Sequence, residues 1–305
     1  MPTYGAETYN IVAFDAVVQH EFQQMTSKLY PYVKVEMLDA AQQTIDGLDS
    51  IEMKATNGLY QPIVFDKINH TRRGVGRKEY AVDLPIDDKE ARVILVNQAT
   101  EYAKAIVAAA QRQIDRIIAG AFFADVQTWH TESNGVSVPD ATLLTWLNDG
   151  GVEIDAKAGL TYAKMVESKR KFVNASVSLE DNQFVFCGTG DEMEALMNEE
   201  KYISDRYSDQ MVVDKGLLVT AGGTICKFFA AGDPLPVIGL NADGYRECAI
   251  FVAGGITLAI NKNITIEIKD RPDLRGTKQV SAVLSMGAVR NKKGVVQKVL
   301  TTVKS

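Results

Sequence analysis

Residues 100–122 read TEYAKAIVAAAQRQIDRIIAGAF, and this stretch decides the architecture. Apolar side chains recur at Ala99, Tyr102, Ala103, Ile106, Val107, Ala110, Ile114, Ile117, Ile118, Ala121 and Phe122, every step being one, three or four residues. That is the spacing of a single stripe along an α-helix. Glu101, Lys104, Ala105, Ala108, Arg112 and Arg116 take the opposite side, and neither proline nor glycine interrupts the run before Gly120. At ~1.5 Å per residue the helix spans about 35 Å, longer than an average globular helix, so it can act as a structural spine. Its expected core positions are Ile106, Ile114, Ile117 and Phe122.

Upstream of the helix the pattern is that of strands. LYQPIVFDKI (59–68) leads through NHTRRGVGR (69–77) into KEYAVDLPI (78–86), where Tyr80, Val82, Leu84 and Ile86 alternate with Glu79, Ala81 and Asp83. Two strands joined by a basic, glycine-containing turn predict a long hairpin with Arg72, Arg73, Arg77 and Lys78 at its tip. Such a ribbon is marginal alone in water and is expected to lean on its own body or on another chain. Residues 1–50 show apolar positions without sustained periodicity and predict an extended arm carrying one short helix, from about Asp15 to Lys28.

Downstream, a turn-rich stretch gives way to mixed signals: an amphipathic helix over Tyr162–Val173, a buried strand at FVFCG (184–188) and an acid-led helix at DEMEALMNEEKY (191–202). TICKFFAA, ECAIFVA, GITLAI, ITIEIKD, QVSAVLSMGAVRN and GVVQKVLTTV read as further strands, with a turn at NADGY and the last two pairing across NKKG. The expected class is α+β. The expected parts are an arm (1–50), a hairpin (51–88), a spine region (89–158), a middle lobe (159–255) and closing strands (256–305).

Composition narrows the function classes. The 305 residues are 46% hydrophobic and 24% charged, ordinary globular usage, which argues against disorder or a fibre. The start lacks a basic, then apolar, export signal, and no window approaches the ~18 apolar residues of a membrane span. Cys187, Cys226 and Cys248 lie far apart without zinc-like spacing and read as reduced core thiols. A net charge of −6, with both signs mixed along the chain, disfavours a dedicated nucleic-acid binder without excluding weak, salt-sensitive phosphate contact.

The chemistry-bearing motifs are absent. The two GxG starts, at Gly74 and Gly188, place Glu79 and Met193 where a dinucleotide fingerprint needs its third glycine, and no P-loop, HExxH, GxSxG or CxxC occurs. His20, His70 and His130 show no metal-ligand spacing, and the pairs Asp87/Asp88 and Glu199/Glu200 diverge rather than converge. No catalytic, metal or cofactor-binding residue is expected. Charged turns at DRPDLRGTKQ and GAVRNKKG offer Arg271, Arg275 and Lys278 for contact with another subunit.

The order of parts, arm, long hairpin, spine helix, α/β lobe and returning strands, resembles the Hong Kong 97-type capsid fold of tailed-bacteriophage head proteins. RRGVGRKEYAVDLPIDDKEAR (72–92) running on to AAAQRQIDRIIAGAFFADV (108–126), and the ending IEIKDRPDLRGTKQVSAVLSMGAVR (266–290), are similar to one family of such proteins. The resemblance implies a major capsid protein that assembles in the host cytoplasm into pentamers and hexamers of a virion shell. The middle lobe would point at the local axis, and the hairpin would lie over a neighbour. It further implies a separate scaffolding protein, a portal and a decoration protein as partners, with no membrane. Lys67 and Lys78 fall where some members cross-link, but nothing marks a partner here. The rival readings are an encapsulin-like compartment shell, a soluble α/β enzyme and a DNA-binding protein using the basic hairpin.

Overall fold

The computed structural model describes residues 26–48, 53, 70–86, 98–131, 137–157, 159–199, 213–214, 217–232, 235–271 and 277–303. In chain order these hold β1 (Lys34–Met37), β2 (Gln42–Leu48), β3 (His70–Gly76), β4 (Lys78–Ile86), helix α1 (Gln98–Gly120), β5 (Gln127–Thr131), β6 (Ser137–Pro139) and β7 (Val152–Ala156). Then come helix α2 (Tyr162–Asn174), β8 (Phe184–Thr189), helix α3 (Gly190–Met197), β9 (Val213–Asp214), β10 (Leu217–Leu218), β11 (Thr220–Ala221) and β12 (Thr224–Phe229). The chain closes with β13 (Arg246–Val252), β14 (Ile256–Arg271), β15 (Thr277–Arg290) and β16 (Val296–Thr301). The class is α+β, as expected.

Strand β8 is buried along its whole length, which is why FVFCG is an unbroken apolar run rather than an alternating one. It sits inside a six-stranded sheet in the order β11-β12-β8-β13-β16-β7. Register sorts the side chains onto two faces. Phe184, Phe186, Ile250 and Gln297 share one, and α2 covers it, with the Phe172 ring 4.9 Å from Phe184 and Ser168 Oγ donating to Gln297 at 2.9 Å. Val185, Phe251 and Val296 share the other, where Phe122 at the end of α1 lies 5.2 Å from Phe251. The sheet also takes in β7 and β16, which lie outside 159–255: spatial neighbours here are far apart in the chain.

A second sheet, β1-β14-β15-β4, meets the same helix further back. Ile106 packs against Val280 and Ala282 of this sheet, whereas Ile114, Ile118 and Phe122 enter the main core with the lobe. One helix therefore joins two modules, which is the spine role its length suggested. The buried line runs Ile114–Ile118–Phe122, leaving Ile117 only partly buried at the edge of the stripe and Val107 exposed.

The hairpin differs from the sequence reading. Residues 70–76 are strand, not turn, and β3 pairs antiparallel with β2 and β5 in a third sheet, β2-β3-β5-β6. The hairpin is thus β2–β3, and the proposed strand 59–68 lies outside the described residues. After Arg77 the chain leaves this sheet, and β4 pairs with β15 instead. The two sheets cross at Gly76 and Gly287, so closely that a Cβ on Gly287 would overlap the Gly76 carbonyl. Two further expectations are corrected. GITLAI and ITIEIKD form one continuous strand bent by register shifts near Lys262, and β15 and β16 do not pair but enter different sheets. The expected helix over 15–28 lies mostly outside the described residues, and 26–28 are not helical.

Candidate functional site

Among the described residues, the buried polar side chains gather at joints between elements of the fold. The first joint is in the middle of α1. Asp115 is fully buried on the apolar face and accepts three hydrogen bonds from the start of the described chain: Ser27 Oγ at 2.6 Å, Lys28 N–H at 3.1 Å and Leu29 N–H at 3.0 Å. Gln111, one turn earlier, accepts from Ser27 N–H at 3.3 Å. Lys28 Nζ donates to Phe228 O at 2.6 Å, and burial lowers its pKa while Asp115 opposes the shift. These bonds tie residues 27–29 to the spine helix.

The second joint lies where all three larger sheets meet. Arg73, on β3, turns inward and forks onto Asp149, Nη1 to Oδ2 at 2.7 Å and Nη2 to Oδ1 at 2.6 Å. Arg290, at the end of β15, reaches the same carboxylate through Nε at 3.2 Å and donates from Nη1 to the carbonyls of Ala121, Phe122 and Ala124 at 2.7–3.0 Å. Those carbonyls follow the C-terminus of α1, the negative end of its dipole. Burial pulls the Arg290 pKa down, with Asp149 opposing.

A third polar cluster closes the lobe. Glu192 accepts the Thr189 N–H at 2.7 Å in a capping box at the start of α3. Arg246 pairs with Asp191 at 2.7 Å and Glu192 at 3.3 Å.

The residues singled out from sequence scatter. Arg73 is buried and is not a surface contact: an inward-facing strand position carried it into the body. Arg72 pairs with Asp46 across the hairpin at 3.1 Å, Arg77 bonds Asn261 where the two sheets part, and Lys78 is exposed on β4. None of the four sits at a hairpin tip. Arg271 and Lys278 do flank one, the β14–β15 turn, where Arg271 bonds Gln279, while Arg275 lies outside the described residues. Of the histidines, His130 pairs with Asp140 at 2.6 Å, and Thr128 bonds the same carboxylate. Both bonds converge on the Asp140 carboxylate.

All three cysteines are free and buried; burial pushes all three thiols up, Cys226 to about 12. Among the described residues no three metal-ligating side chains converge, and no helix is long and apolar enough to cross a membrane. Asp115 was missed, although an acid set among Ile114, Ile118 and Phe122 on one helical face was a visible signal. Asp149 and Arg290 carried no local signal.

A spine helix joining an α/β lobe to a long sheet, with an anchored arm and a hairpin sheet, is the Hong Kong 97-type capsid fold, the fold of self-assembling shell subunits. The solved structures agree on the fold. The capsid of cyanophage P-SCSP1u matches with a TM-score of 0.65 at 10% identity, over 95% of this chain and 92% of that one. The acid-stable capsid of Helicobacter pylori bacteriophage KHP30 matches at 0.66 and 9% identity, over 94% of each. The capsid of Ralstonia phage GP4 matches at 0.65 and 9%, over 95% of this chain and 97% of that one. No curated protein matches at the sequence level. The family model for phage capsid proteins matches residues 6–303, and the chain belongs to that family. It is a major capsid protein, a structural part of the virion shell, and the compartment-shell reading is not favoured.

Proposed function

We propose that copies of this chain assemble as pentamers and hexamers, with the six-stranded lobe toward the local axis and the β2–β3 hairpin and the N-terminal arm lapping onto neighbours. The observation that carries this is the arm's anchorage. Asp115 holds residues 27–29 against the spine, so everything N-terminal to them starts from one fixed point on the body. A fixed origin suits a strap between subunits better than a loose tail. Arg72, Arg77, Lys78, Arg271, Arg275 and Lys278 remain the proposed charged contacts. Each such contact is weak, and a closed lattice multiplies them.

On this reading the chain has no catalytic role. A separate scaffolding protein guides assembly, a portal and a decoration protein join the shell, and contact with packaged DNA is weak and non-specific. The test is size-exclusion chromatography and negative-stain microscopy of purified protein, with residues 49–69 replaced by a short glycine-containing turn in a second sample. The full chain should form closed particles and the shortened one a folded, non-assembling subunit. Normal particles from the shortened chain would overturn the hairpin's role.

A further inference from the structure

We propose that Arg73, Asp149 and Arg290 form the joint that sets the angle at which the hairpin sheet leaves the body, and thereby the curvature at which copies close into a shell. The inference rests on the assembly reading above. It begins with what the three residues connect. Arg73 belongs to the hairpin sheet, Arg290 to the β1-β14-β15-β4 sheet, and Asp149 to the turn that leads three residues later into β7 of the lobe. Arg290 also holds the carbonyls after α1. Four modules are thus tied at one carboxylate.

Stability alone does not explain this arrangement. Two guanidiniums face one carboxylate, all three side chains being at least 95% buried, and Arg73 Nε and Arg290 Nη2 find no acceptor among the described residues. Burying ions in this way gains little over apolar packing of the same volume. What the charged set adds is direction. The apolar contacts beneath the hairpin sheet, Ile45 and Val75 against Leu38, Val126, Ala259 and Val289, tolerate sliding and rotation, whereas a fork-on-carboxylate bond is made in one orientation only. Repeated contacts between identical subunits close only if each rotation is right, so a shift of the reaching sheet is copied at every contact in the lattice.

Arg73→Met isolates the role. It leaves the Arg290–Asp149 pair and its carbonyl bonds intact, removes the surplus positive charge and cuts only the tie to the hairpin sheet. Arg73→Lys, which keeps the charge but loses the fork, is the second variant. Both should give folded subunits by circular dichroism that still associate, with particle diameters spread about twofold or more wider than wild type by electron microscopy, Arg73→Met more than Arg73→Lys. Wild-type diameters from either folded variant would overturn the proposal. So would failure of both to fold, which would make the joint a requirement of folding rather than of angle. The wild-type sample is the control: if it forms no particles at all, the assembly reading fails instead.

Discussion

Asp115 accepts the backbone N–H of Leu29 at 3.0 Å across 86 residues of sequence, inside the core. A carboxylate with no exposed surface is tolerable only because its oxygens are occupied by donors. The bond makes the spine helix the anchor of the N-terminal segment as well as the bridge between two sheets.

Asp115→Ala therefore strands the buried Leu29 N–H and takes the acceptor from the half-buried Lys28 N–H and Ser27 hydroxyl. The unassembled subunit should lose about 2–4 kcal/mol in urea denaturation. Proteolysis near residue 26 should speed up in parallel. Unchanged cleavage would show that other contacts hold the segment.

The phase of the spine stripe predicts unequal costs for two adjacent isoleucines. Ile118 has no exposed surface, so Ile118→Ala should cost about 3–5 kcal/mol. Ile117→Ala, at the partly buried edge, should cost about 1–2 kcal/mol in the same titration.

Gly287→Ala tests the sheet crossing. The added methyl would overlap the Gly76 carbonyl, and backbone on both sides leaves no flexible side chain to give way. A loss of about 3 kcal/mol or more is expected, seen as a lowered melting temperature. Ala288→Gly next to it provides the comparison.

Buried thiols give the pH dependence its sign. Cys187, Cys226 and Cys248 all have pKa values raised by burial, Cys226 to about 12. Their contribution is fully present below the unfolded-state value of about 8.5 and is lost as pH rises from there toward the folded values, by up to about 1.4 kcal/mol per pH unit for each thiol. Urea midpoints should hold level through pH 8 in this respect and fall above pH 9. At pH 8 iodoacetamide should label none of the three in the native subunit and all of them in urea.

Elements with a period in their own residues were legible. The stripe of α1, the α2 helix, the continuous apolar run of β8 and the Asn241–Gly244 turn were all read where they stand, Gly244 adopting a φ of +81°. Pairings were not. The alternation of β15 and β16 announced two strands, and proximity across NKKG suggested a hairpin, but each strand buried more by joining a different sheet. The Arg72–Arg73 pair failed in the same way. Neighbouring residues on a strand point to opposite faces, so one stayed near Asp46 at the surface and the other went into the core.

By itself the sequence determined the spine, the helices and apolar strands of the lobe, the lack of common catalytic motifs and the likeness to phage head proteins, because these depend on periods and residue types that act over a few positions. Only the tertiary structure decided which strands share a sheet, that Asp115 anchors the arm, and that Arg73, Asp149 and Arg290 meet. The physical reason is distance along the chain. Arg73 and Arg290 are joined through a carboxylate lying 76 residues from the first and 141 from the second, and such a meeting is set by the balance of burial over the whole molecule.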